Sequence, residues 1–173
     1  MIYTDGYITD NCFGIAFKSD DVEILNKLKR CMNSTHKIGV YTNNGYGDKY
    51  KKTEYARLII RNQHLVDSLI NNGVLYNKSK ILKPPNIKHD MIRHFIRGYM
   101  DGDGHITKNN ASSPFYVVGW VGTKDVLNWI GDYFICEGLT ERYKIHSEHG
   151  SEYTFSLKFG GNVKSVKNIK SYI

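Results

Sequence analysis

Two short stretches carry the residues best suited to chemistry: Tyr3-Thr4-Asp5-Gly6-Tyr7-Ile8 near the start, and Met100-Asp101-Gly102-Asp103-Gly104-His105-Ile106 in the second half. Each sets a carboxylate beside glycine, which lets a backbone approach a ligand closely. Read as the C-terminal ends of helices, these stretches place Asp5 and Asp103 where backbone carbonyls already supply partial negative charge, so each needs compensation. Two carboxylates brought together would also repel, and a divalent cation relieves that repulsion. Hard oxygen donors suit Mg2+, or Mn2+, rather than zinc. Asp5 and Asp103 are thus the candidate metal ligands, and a pair of metals bound to such acids would support phosphodiester hydrolysis.

Two other readings of the acidic turn fail on spacing. A calcium loop counted from Asp101 needs oxygen donors at its fifth and twelfth positions and glycine at its sixth, where this chain has His105, Ser112 and Ile106. A dinucleotide-binding loop needs a third glycine where Thr107 stands. The plain alternative, glycines that merely end a helix beside solvated aspartates, requires the second copy to be coincidence. The histidines form no zinc or nucleophile spacing; His94 reads as a helix-surface residue and His105 as a turn residue.

The chain has 173 residues, with 24 Lys plus Arg against 17 Asp plus Glu and a formal charge of +7. That balance favours a polyanionic partner, nucleic acid first. No apolar run reaches the ~18 residues of a membrane span, and the first ten residues lack the basic start and apolar stretch of a signal peptide. Cys12, Cys31 and Cys136 are single and far apart, which argues for reduced thiols in an intracellular protein, cytoplasmic (bacterial or phage) or organellar.

The elements that must position the acids follow from periodicity. Residues 11–18 alternate as a strand, Ser19-Asp20-Asp21 reads as a helix cap, and Val22, Leu25 and Leu28 recur at helical spacing. Strands are predicted over 37–42 and 53–61, around a polar loop at 43–52, and a helix over 63–71. Pro84-Pro85 reads as a linker, giving halves of 1–84 and 85–173. From Asp90, the residues Ile92, Phe95, Ile96 and Tyr99 mark a helix leading to the acidic turn, with Gly98 allowing close helix packing. The first half is then replayed: a strand over 115–121, a helix over 127–134 capped near Thr123, a hairpin over 143–149 and 152–159, and a last helix over 162–173.

The run over 53–61 puts Ala56, Leu58 and Ile60 on one face and Tyr55, Arg57 and Arg61 on the other. Basic sheet faces related by a pseudo-two-fold axis match duplex DNA, whose major groove admits strands. The candidate contacts are Lys49, Lys51, Arg57, Arg61, Lys144, His146, Thr154, Ser156 and Lys158.

The stretch Arg97-Gly98-Tyr99-Met100-Asp101-Gly102-Asp103-Gly104, together with Met1-Ile2-Tyr3-Thr4-Asp5-Gly6, resembles the two motif copies of a single-chain LAGLIDADG homing endonuclease. Gly73, Lys78-Ser79, Leu82 and Pro84 resemble the block that such proteins carry before the second motif. The resemblance implies an α+β fold of two pseudo-symmetric αββαββα halves, with antiparallel saddle-shaped sheets packed through central motif helices. It implies a monomer that cuts double-stranded DNA, Asp5 and Asp103 serving one strand each. Lys78 would stand near a scissile phosphate, its alternative being a solvated loop lysine. Measured against the family pattern, the first motif helix and the last helix are expected to be cut short. The competing expectation is a catalytically degenerate DNA-binding protein, or an RNA maturase, on the same scaffold.

Overall fold

The computed structural model describes residues 1–43, 52–109, 115–161 and 163–173. The chain divides into two compact units, one of Ile2–Ile70 and one of Asn71–Ile173 with Met1.

The first unit runs β1 (Gly6–Thr9), β2 (Cys12–Lys18), α1 (Val22–Cys31), β3 (Ile38–Asn43), β4 (Thr53–Arg61) and α2 (Gln63–Asn71). Its strands form one antiparallel sheet in the order β1-β2-β4-β3. The alternation in β4 is borne out, since Ala56, Leu58 and Ile60 are buried. They share the core with Phe13, Ile15, Leu25 and Val66, and each large apolar side chain buried there contributes about 1.5–3 kcal/mol. Ser19-Asp20-Asp21 forms a short 3-10 turn before α1, with no side-chain cap bond, which corrects the expected cap.

The second unit repeats the order with a helix in front: α3 (His89–Asp103), β5 (Gly104–Asn109), β6 (Phe115–Gly122), α4 (Lys124–Cys136), β7 (Ile145–Ser147), β8 (Phe155–Phe159) and α5 (Val163–Tyr172). Its sheet has the order β5-β6-β8-β7, the same as in the first unit. Trp120 anchors the core, its ring 5.4 Å from Phe134 and 6.3 Å from Phe159. Thr123 precedes α4 without capping it by its side chain; its hydroxyl donates instead to the Leu82 carbonyl at 2.5 Å. The close approach expected at Gly98 is not forced within this unit, where a Cβ would meet only Met1 N, at 4.0 Å.

The repeat extends to how helices stop. After α1, Asn33 takes a left-handed φ of 47°, and the amides of Asn33 and Ser34 donate to the carbonyls of Arg30 and Lys29. After α4, Gly138 does the same at φ 66°, with Gly138 and Leu139 donating to Ile135 and Phe134. Both are Schellman closures, which satisfy carbonyls a helix end would otherwise leave open.

Two strands that the αββαββα pattern implies have no range from periodicity. β1 and β5 begin on the residue after each candidate acid, so residues read as the tail of a turn are the first of a strand. The hairpin strand expected over 143–149 shortens to Ile145–Ser147, because His149 and Gly150 both adopt positive φ and divert the chain. Among the described residues, no helix is long and apolar enough to cross a membrane.

Candidate nucleic-acid interface and acidic turns

Asp103 is the last residue of α3 and is exposed. Gly104 follows at φ −93° and ψ 164°, so the chain passes from helix to strand in one residue. Tyr99, one turn earlier, is buried and donates to the Val121 carbonyl at 3.1 Å. Its phenol is pushed well above the ordinary range, chiefly by burial and further by the charge of Asp103.

Asp5 is also exposed, and its Oδ2 accepts a hydrogen bond from Thr4 Oγ1 at 2.6 Å. It does not stand on a helix, contrary to the sequence reading: residues 2–5 form a turn that leads into β1. A single turn gives too few hydrogen bonds to offset the cost of nucleating a helix.

Among the described residues, no three His, Cys, Asp or Glu side chains cluster to hold a metal. One carboxylate per unit still fits Mg2+, which keeps several waters and is commonly held by one or two carboxylates and a substrate phosphate.

Lys78 opens a 3-10 turn, Lys78–Lys80, after Asn77 at a left-handed φ of 50°. It is 9% exposed. Its stem is therefore packed against the fold, unlike that of a lysine standing free in a loop.

Strand register defines the face of each sheet turned away from its core. In the first unit, Tyr7 pairs with Gly14, Arg57 with Ala16 and Gly39, and Tyr41 with Tyr55. The Arg57 guanidinium lies 4.5 Å over the Tyr41 ring, which stacks on Tyr55 at 5.5 Å. Such cation–π contact holds the guanidinium in place without neutralising it. Arg61 is exposed at the end of β4. Lys49 and Lys51 lie outside the described residues.

In the second unit, His105 and Lys158 both pair with Gly119, and His146 pairs with Ser156. Lys158 Nζ contacts Glu148 Oε1 at 2.7 Å. Lys144 is exposed just before β7, and together with Arg142, Lys158 and Lys164 it lines an open basic cavity of about 1070 Å³. One expected contact needs correction. Ser156 is 0% exposed, its short side chain overtopped beside Glu148, so it reaches no ligand. Thr154 lies in the turn before β8, its carbonyl accepting the Glu148 amide. His105, read as a turn residue, stands in β5.

The sequence reading missed Tyr7, Tyr41, His105 and Glu148 on or beside these faces. For the first three, the signal was present in the alternation within β1, β3 and β5.

The Lys158 ammonium holds the Glu148 carboxyl at about 2, below its ordinary 4.5. A depressed folded value stabilises above pH 4.5 and loses that stability as pH falls toward 2. The urea midpoint of the wild type is therefore expected to drop more steeply between pH 4.5 and 2 than that of Lys158→Met. Parallel curves would refute the linkage.

No protein-family model and no curated protein matches the chain. Solved structures do. The I-LtrWI LAGLIDADG homing endonuclease bound to target DNA superposes with a TM-score of 0.63 at 12% identity, covering 99% of this chain and 79% of that one. The chain has the LAGLIDADG homing endonuclease fold. I-GzeII, a LAGLIDADG homing endonuclease in complex with its DNA target, aligns at a TM-score of 0.59 and 11% identity over 93% of this chain and 73% of its own. Mesophilic variants of the homing endonuclease I-DmoI align at 0.59 and 15% identity over 99% and 89%. The LAGLIDADG fold accounts for the ββαββα order shared by the two units, with α3 in front of it in the second.

Proposed function

We propose that the chain is a site-specific double-strand DNA endonuclease of the homing type, using Mg2+ or Mn2+. One observation carries the reading: in each unit, an exposed aspartate immediately precedes the edge strand of an antiparallel sheet with a basic or aromatic outer face. The acid that would hold a metal and the strand that would meet the groove are thus continuous backbone. The solved homing endonucleases of this fold, several bound to DNA, point to the same partner.

Asp5 and Asp103 would each hold a divalent ion against one DNA strand. When bound, such an ion supplies charge neutralisation and activates water at neutral pH. Arg57 and Arg61 in the first unit, and Lys144, His146 and Lys158 in the second, would meet phosphates and base edges. Lys78, held in its turn, would counter charge at one cut phosphate. The +7 charge favours encounter with the duplex.

The test is incubation of the full chain with a randomised duplex library, in Mg2+ and separately in EDTA. Breaks in both strands at one recurring sequence, lost in EDTA, are expected. A second reading, binding without cleavage, is favoured by the turn at Asp5. Salt-sensitive, sequence-selective binding with intact DNA in Mg2+ would establish it instead.

A further inference from the structure

The two units share a device beyond the acids. Two residues after each aspartate, an aromatic ring stands on the outer sheet face directly opposite a glycine: Tyr7 opposite Gly14, and His105 opposite Gly119. The rings cover those glycines. A Cβ at Gly119 would come within 2.6 Å of the His105 imidazole, and one at Gly14 would overlap the Tyr7 ring. The spacing from acid to ring, the register and the glycine recur although the side chains differ. Tyr7 keeps 39% of its surface open, and both rings carry groups that donate and accept hydrogen bonds.

We propose that Tyr7 and His105 are specificity-determining residues, each reading a base next to the phosphate cut by its own unit. The assignment rests on the endonuclease reading. Two residues of extended chain span about 6.7 Å, and a DNA strand advances about 3.4 Å per nucleotide. A ring two residues from a metal-holding aspartate therefore reaches bases within about two steps of the cut. Because one ring is a phenol and the other an imidazole, the preferences beside the two cuts differ. A ring placed only to cover an edge glycine would stabilise the sheet and leave base preference untouched.

The experiment uses the full chain and the duplex recovered from the randomised library, with every base substituted in turn at the positions flanking each cut. Preference is read twice, as strand-resolved cleavage in Mg2+ and as binding without divalent cation. Tyr7→Ala should flatten an about tenfold preference beside one cut to under threefold, and His105→Ala beside the other. Gly14→Ala, which pushes the tyrosine off its seat while leaving its chemistry intact, should reproduce Tyr7→Ala and add nothing to it. Variants that keep both preferences, or lose both equally, overturn the assignment while wild-type cleavage upholds the endonuclease reading. Failure of the wild type to cleave or bind any duplex overturns that reading and this one with it.

Discussion

Asp103→Asn is expected to lower cleavage of its strand by about a thousandfold, the scale on which removing a charge-stabilising group at a reacting centre acts. The amide keeps the shape of the carboxylate and removes its charge, so on the proposed function it would hold a metal far more weakly. Stability should move the other way. Asp103 ends α3, where the carbonyl dipole is negative, and removing a carboxylate there is expected to stabilise the unit by about 0.3–1 kcal/mol. A variant that is inactive yet at least as stable as the wild type separates chemistry from folding in one pair of measurements. Asp5→Asn should leave Asp103 working on its own strand, giving a nicked rather than a broken duplex. Double-strand cleavage at the wild-type rate by Asp103→Asn would remove the acid from the mechanism.

Trp120→Ala is expected to cost about 3–5 kcal/mol by chemical denaturation, a large share of the ~5–15 kcal/mol that holds an ordinary domain folded. The indole is 0% exposed and packs on Phe134 and Phe159, themselves 5.7 Å apart, so no neighbour can collapse into the space without breaking another ring contact. Its Nε1 finds no hydrogen-bond partner among the described residues. Burying that N–H is unfavourable by about 1–3 kcal/mol, which offsets part of what the ring contributes. Trp120→Phe, which removes the N–H with the lost volume, should therefore stay within about 1 kcal/mol of the wild type. Equal losses from both substitutions would show that the indole nitrogen is satisfied in solution.

The elements most legible in the sequence were those with a long unbroken period. β4 and α2 occupy the predicted ranges, because nine-residue stretches with one buried face leave little freedom of register or extent. The two acids were legible because they are repeated. The strands that follow them were not, since Asp-Gly reads locally as a stop whatever comes next, and only sheet pairing reveals that Gly6 and Gly104 start a strand. Where a helix end was expected at Asp5, residues 2–5 form a turn. Ser156 failed for another reason: alternation assigned it to the outer face, where register does place it, but a short side chain beside Glu148 is covered from above. Alternation reports direction, and exposure depends also on the height of the neighbours.

The bridge between Glu148 and Lys158 has a consequence for the free protein. On the proposed function, its carboxylate would occupy the place of a DNA phosphate beside the same ammonium. Arrival of a duplex at Lys158 is then an exchange of one anion for another, in which the ammonium need not shed a full water shell. On that reading the exchange would add little net affinity, and the carboxylate would return to the ammonium when the DNA leaves.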